Sequence, residues 1–219
     1  MTAVVQQIKT EEAVPWCKRK HYARRVPPIS FAFGLYEDRV LTGVVTYGSL
    51  ATPQVKNGMF DDEAIEIIEL NRLCVETNLK NAASILVGRS LGLLPGPIAV
   101  ISYADSGQGH VGYIYQATNF IYTGAATAHD SEYIVNDKKV HPRTLAARGI
   151  TAPKEWAEKN GIEVVKPKPK YRYVYFVGSR TQRKHMRKSL QYAVVKEFPK
   201  GETRRYDVGA PVPTQGIMF

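Results

Sequence analysis

A length of 219 residues with 44% hydrophobic and 23% charged residues fits one globular domain large enough for a sizeable core. With no run of eighteen apolar residues, no basic-then-apolar leader in MTAVVQQIKTEE and only Cys17 and Cys74, the sequence predicts no membrane-spanning helix, secretory signal or disulfide framework, and it fits a reducing cytoplasm. The net charge of +10 is concentrated in residues 166–205, where 13 Lys and Arg face only Glu197 and Glu202 and alternate with Tyr171, Tyr173, Tyr175 and Phe176, a pattern that favours a nucleic-acid partner over a merely solvated surface.

Residues 3–8 read as a short first strand. Thr10 is placed to cap a helix starting at Glu11-Glu12, whose acids suit the positive helix end, with Pro15 in its first turns or delaying its start. Residues 16–25 then gather Lys18, Arg19, Lys20, His21, Tyr22, Arg24 and Arg25 before Pro27-Pro28 stops any helix. Residues 29–36 and 40–47, joined by Glu37-Asp38-Arg39, predict a hairpin with a bend or bulge at Gly43 or Gly48. Residues 49–62 read as a loop near the substrate.

Residues 68–76 predict a strand, on which Glu69 and Asn71 share one face and Arg72 takes the other. After a polar loop at 77–81, whose Asn and Thr suit a helix cap, Ala82, Ile85, Leu86, Arg89 and Leu93 recur at helical spacing until Gly92 and Pro95. The apolar, β-branched residues 97–104 predict a buried strand. It empties into Asp105-Ser106-Gly107-Gln108-Gly109-His110. A strand that feeds a polar turn and then a helix is where α/β proteins place ligands, so this turn is the candidate active site.

Asp105 has the chemistry of a base or of a group orienting His110, and Ser106 that of an oxyanion donor or nucleophile. The plain alternative is that Asp105 and Ser106 only cap a helix starting near Gly109. Glu69 is expected to line the same cleft. Tyr115 and Asn119 share a helix face, with Tyr122 one heptad from Tyr115; such a stripe is either core or the reader of a base edge. Arg72 binds a phosphate or cross-links carboxylates. Lys80 and the N–H groups around Asn81 and Ser84 form a strand-to-helix anion site for a donor. His21-Tyr22 has three readings: a DNA-facing stacking pair, a catalytic pair, or metal ligands, although no HxH, HxxxH or HEXXH spacing supports a metal.

Beyond residue 124, His129-Asp130 precede a predicted hairpin at 132–140 turning at Asn136-Asp137, then a short helix at 143–148 and a second at 151–160 capped by Thr151 and stopped by Gly161. The Lys-Pro alternation of 166–170 forces an extended chain. Residues 171–177 predict a strand. Ser179 is placed to cap a helix running to Leu190, whose surface carries Arg180, Arg183, Lys184, Arg187 and Lys188.

ELNRL at 69–73, ISYADSGQGHVGYIYQATNFIYTG at 101–124 and His21-Tyr22 resemble motifs of the phage Mom family. The resemblance implies a GNAT-like α/β fold, a central mixed sheet flanked by helices, here with a basic C-terminal strand–helix extension. It implies one domain over 1–219, with 166–205 contacting DNA. It also implies a transferase that converts adenine to N6-carbamoylmethyl adenine in duplex DNA, protecting it from restriction in the cytoplasm of the infected host. A bound iron has been suggested for the family, which makes His21 and Tyr22 its candidate ligands. The GNAT donor loop is glycine-rich, whereas 76–84 here is ETNLKNAAS, a departure that weighs against an ordinary acyl-CoA donor. The connectivity of the carbamoylmethyl group points instead to an activated glycine, a charged tRNA included. The alternatives are a GNAT acyltransferase acting on RNA or protein, and a non-catalytic DNA-binding protein. The oligomeric state stays open, a homodimer among the options.

Overall fold

The structure, a computed structural model, describes residues 3–50, 52, 54–126, 131–146 and 148–201; His129, Asp130, residues 202–205 and the side chain of Arg143 lie outside the described residues. Strand β1 (Ala3–Gln7) leads into helix α1 (Thr10–Arg19). Thr10 is the first helical residue rather than its cap, because Lys9 precedes the helix with its N–H bonded to the Glu12 carboxylate at 3.0 Å. Pro15 sits inside the helix. Strands β2 (Phe31–Glu37) and β3 (Val40–Gly48) form the expected hairpin, and Asp38 and Arg39 both take positive φ, as a tight primed turn requires. A register shift opposite Leu35 and Tyr36 puts a bulge beside Gly43. The segment read as a loop contains a short helix α2 (Gln54–Met59), held down by buried Met59.

Strand β4 (Ile67–Val75), helix α3 (Ala82–Leu93) and strand β5 (Ile98–Asp105) follow as expected. The helix expected near Gly109 does not start there. A single 3-10 turn (Ser106–Gln108) is followed by Gly109 and Gly112, both at positive φ, and only then by helix α4 (Tyr113–Ala117) and strand β6 (Ile121–Ala126). Two left-handed residues in four break the helical run and leave His110 in a connecting stretch. Tyr122 is consequently a strand residue and shares no helix face with Tyr115.

Strands β7 (Glu132–Val135) and β8 (Lys138–Val140) turn at Asn136-Asp137, both at positive φ. Helices α5 (Pro142–Ala146) and α6 (Pro153–Lys159) come next; Ala152, not Thr151, precedes the second. Strand β9 (Glu163–Val165), absent from the sequence reading, pairs with β7. Strand β10 (Lys170–Val177) and helix α7 (Arg180–Ser189) are the last of the described elements. The Ser179 hydroxyl caps the Gln182 N–H at 3.3 Å and Gln182 returns the bond at 2.8 Å, a capping box worth about 1 kcal/mol.

The large sheet runs β1-β2-β3-β4-β5-β10-β6, antiparallel throughout except for β4 beside β5. Helices cover both faces, so the mixed α/β architecture matches the expectation. One face packs Leu86, Val87 and Leu91 of α3 against Phe33, Val45, Ile68, Leu70 and Val100. The other carries Ala13 and Trp16 of α1 against Val44 and Cys74, and Met186 of α7 against Ala99, Ile101, Val174 and Phe176. Strands buried on both faces explain why β5 reads as a near-continuous apolar run.

Residues 131–165, inserted between β6 and β10, form a second sheet of order β8-β7-β9. It has its own core around Tyr133, Leu145 and Ala157, flanked by Trp156 and Ile162. The chain after α7 returns across the sheet: Leu190 bridges Phe60, the Arg172 guanidinium lies 3.3 Å over the Tyr192 ring, and Phe198 reaches Tyr122.

Candidate active site

The parallel pair β4–β5 is short. Ile67, Ile68 and Glu69 pair with Ala99, Val100 and Ile101, and there the ladder ends. Beyond it β4 continues on β3 to Val75, while β5 continues on β10 to Asp105. A wedge therefore opens between two strands that began as neighbours, bridged at its root by the Ser102 hydroxyl donating to the Leu70 carbonyl at 2.9 Å.

A bulge shapes the β4 wall. Thr46 lies opposite Arg72 and Tyr47 opposite Leu70, which leaves Asn71 as the extra residue. Ile68 and Leu70 pack on the α3 face, and so do Leu73 and Val75; the step of three between Leu70 and Leu73 flips the alternation. This corrects the expected faces of β4. Arg72, not Asn71, shares the face of Glu69, and the Glu69 and Arg72 charges interact. Asn71 instead accepts from the Thr46 hydroxyl at 2.6 Å and donates to the Pro28 carbonyl at 2.8 Å, pinning the segment before β2 to the sheet. Gly48 allows that approach, because a Cβ there would overlap the Pro28 carbonyl.

The pinned segment carries His21-Tyr22 across the wedge. Lys20 anchors it by pairing with Glu76 at the end of β4, its ammonium 4.0 Å from the Trp16 ring centre. Arg72 reinforces it through Nε, which donates to the Arg25 carbonyl at 3.3 Å. The His21 and Tyr22 rings lie 4.3 Å apart, and Tyr22 meets the His110 ring edge-on at 5.9 Å. Two motifs nearly ninety positions apart thus form one cluster.

The electrostatics assign protonation states. Burial, with the nearby Arg72 and His110, pushes His21 down to about 3, so the ring is neutral at physiological pH. Its Nδ1 accepts the Ala23 N–H at 3.1 Å, which puts the remaining proton on Nε2. Tyr22 is partly exposed. Burial and then Asp105 and Tyr115 push it up to about 12 against the opposing Arg72 and Arg25. It stays a phenol, able to donate a hydrogen bond and unable to serve as a resident base. Tyr115 is likewise raised by burial; its hydroxyl bonds the Ser102 side chain and senses Glu69 across the wedge.

Asp105 ends β5. One carboxylate oxygen accepts the Gly107 N–H at 2.9 Å, and the other lies 3.7 Å from the Lys170 ammonium. Capping and charge are thus both present in this residue. Ser106 donates to the Pro169 carbonyl at 2.5 Å, which ties the turn to the start of β10. Its hydroxyl holds the turn in place.

The expected donor residues divide. Arg72 faces the α1 side with Glu69, whereas Lys80, Asn81 and Ser84 lie at the start of α3, which packs on the opposite face. Asn81 occupies the N-cap in a left-handed conformation, φ 61°, without a side-chain cap bond, and Ser84 donates back to the Asn81 carbonyl at 2.9 Å. Lys80 is exposed. The Ala82 N–H already donates to the Leu79 carbonyl at 3.2 Å, and the N–H groups that follow it in this first turn suit an anionic donor group. Iron fits less well. Among the described residues no group of three or more His, Cys, Asp or Glu could hold a metal, and His21 Nδ1 is already bonded to Ala23.

Lys18, Arg19, Arg24 and Arg25 are exposed, whereas Lys20 is committed to Glu76. On α7 only Met186 is buried, so Arg180, Arg183, Lys184, Arg187 and Lys188 all face solvent. The sequence reading missed the part of Ser102 and Tyr103 in the wedge. Tyr103 is raised by burial and interacts with Glu69. An isolated Ser or Tyr in an apolar strand carries no signal that it borders a strand split.

The family model for the Mom protein family matches residues 2–200. The chain belongs to the Mom protein family. A relative of this Mom-family chain, the methylcarbamoylase mom of Escherichia phage Mu, is 27% identical over 216 residues, covering 89% of this chain and 85% of that protein. Similar solved structures include an N-acetyltransferase from Staphylococcus aureus Mu50, 14% identical over 81% of this chain and all of that one, with a TM-score of 0.46. Another is NAA60 of Arabidopsis thaliana in complex with acetyl-CoA, 12% identical over 80% of this chain and all of that one, with a TM-score of 0.47.

Proposed function

We propose that this Mom-family chain is a phage DNA-modifying transferase that converts adenine in duplex DNA to N6-carbamoylmethyl adenine, with the wedge between β4 and β5 as its pocket. The observation that carries the reading is the contact of Tyr22 with His110 at the open end of that wedge, near enough to Asp105 for its charge to act on the phenol. The methylcarbamoylase name of the phage Mu relative supports the transferred group. An adenine amino group engaged in a base pair is out of reach, so the nucleotide has to be extruded into the wedge. The partly exposed Tyr22 ring offers a face on which a free base stacks.

Asp105 then accepts the proton leaving the amino group as its nitrogen attacks, with Glu69 as the second carboxylate of the wedge. The Tyr22 phenol donates to an oxygen atom that gains charge, and His110 positions Tyr22 through their ring contact. The donor's anionic part lies at Lys80, Asn81 and Ser84, and an activated glycine, a charged tRNA included, supplies the carbon skeleton; acyl-CoA is the alternative donor. The exposed cations of α7 and of residues 18–25 neutralise DNA phosphates. The modification protects DNA from restriction in the host cytoplasm. Plasmid from cells expressing the chain is expected to resist an endonuclease whose site contains adenine. An unchanged digest, across several such enzymes, would leave the non-catalytic DNA-binding reading in its place.

A further inference from the structure

The stretch between the inserted sheet and β10, Lys166-Pro167-Lys168-Pro169-Lys170, is held at both ends. At one end Val165 of β9 pairs with Glu132 of β7. At the other, Lys170 lies in register with Asp105 on one side and Ala126 on the other, and the Pro169 carbonyl accepts the Ser106 hydroxyl. Between these anchors Lys166 and Lys168 are exposed and Pro167 is half-buried. Among the described residues neither Lys166 nor Lys168 has an ion-pair partner. Lys170, the third of the series, has its ammonium 3.7 Å from Asp105.

With φ fixed by its prolines the stretch outside the two strands is of the polyproline type, rising about 3.1 Å per residue, so Lys166 and Lys168 stand roughly 6 Å apart along it and leave it in directions about 120° apart. Nucleotides of one DNA strand advance by about 3.4 Å along the axis, and the winding of the backbone makes the through-space phosphate separation about twice that. The two spacings are similar, and the long flexible lysine stems span the difference in direction. The prolines fix φ and remove competing N–H donors, so little conformational freedom is lost when the lysines engage a strand.

We propose that this segment is a phosphate comb, which holds consecutive phosphates of the strand carrying the target adenine and brings that nucleotide into register with Asp105. The proposal rests on the DNA-modification reading and adds to it which strand is gripped and by what. The competing role for edge lysines and prolines is to prevent sheet-to-sheet pairing, which involves no ligand.

The test uses the full chain, a G·C duplex with a single A·T pair, and the double variant Lys166→Gln/Lys168→Gln. Binding is measured by anisotropy over a range of salt concentrations. The variant is expected to lower the slope of log affinity against log salt by about 1.8, two phosphate contacts at about 0.9 each. Methylphosphonates that neutralise the two phosphates beside the adenine should then weaken the wild type and leave the variant nearly unaffected. The same groups on the opposite strand should weaken both proteins equally. Charge reversal at Arg183 and Lys184 should lower the slope and keep the strand asymmetry. An unchanged slope in the double variant, or equal losses in both proteins from neutralising the adenine strand, would overturn the comb. Failure of the wild type to bind the duplex would instead remove the DNA reading itself, whereas adenine modification with an unchanged slope would remove the comb alone.

Discussion

Asp105→Asn is expected to lower adenine modification by at least about a hundredfold, within the range that removal of a general base costs, while DNA affinity stays within about twofold. The amide side chain of this variant keeps an oxygen for the Gly107 N–H, so the 3-10 turn retains its cap. The variant loses its charge opposite Lys170, whose side chain is half exposed, and such a pair contributes at most about 1 kcal/mol. What it cannot do is accept the amino proton. Thermal melting and duplex binding, measured beside the modified fraction of adenine, separate the two roles that Asp105 fills. Full activity in the variant would make Asp105 a cap only and move the base to Glu69, to be tested by Glu69→Gln.

Isotope labelling of the product is expected to give an all-or-none result. The carbamoylmethyl group has a methylene on the ring-bound nitrogen and an amide at its far end, which direct transfer of an acetyl group cannot produce. Transfer of a glycyl group does, in two steps. The adenine amino nitrogen attacks the activated carbonyl, the carrier leaves, and N-C(=O)-CH2-NH2 results. The free amine then attacks ring carbon six through a five-membered arrangement and expels the original nitrogen as an amide, leaving ring-NH-CH2-C(=O)-NH2. No oxidant or reductant is consumed, and the proton shed by the attacking amine is matched by the one taken up by the departing amide nitrogen. The turn before α3, with Asn81 in a left-handed conformation, has none of the glycines with which a pyrophosphate-cradling loop is built. Nitrogen-labelled glycine is therefore expected to label the nitrogen attached to ring carbon six and leave the terminal amide unlabelled. Absence of the label from the modified base would exclude this route.

The sequence made the element order legible because periodicity and punctuation are local. Apolar run and polar turn predicted β5 and its exit, Ser179 and Gln182 predicted the start of α7, and Asn136-Asp137 predicted a hairpin. What stayed hidden depends on the partner strand or on two residues acting together. The Asn71 bulge exists only relative to Thr46 and Tyr47 on β3, so alternation along β4 alone put Arg72 on the wrong face. Gly109 and Gly112 look innocuous singly; together at positive φ they replace a helix with an extended link that carries His110 toward Tyr22. The union of His21-Tyr22 with Asp105 rests on long-range anchors, Lys20 to Glu76 and Asn71 to Pro28, which no spacing in the sequence announces. Strand β9 is only three residues long and exists through its pairing with β7.

The central claim is that the wedge between β4 and β5 is an adenine-modifying site completed by the His21-Tyr22 segment. Mass spectrometry of nucleosides, from DNA of cells expressing the wild-type chain or Asp105→Asn, tests it most directly. The account predicts a deoxyadenosine species heavier by one carbamoylmethyl group, replacing one hydrogen, in the wild-type sample and its near-absence from the variant, with both proteins present at equal levels. An adenosine profile in the wild-type sample identical to that of cells without the protein would contradict it.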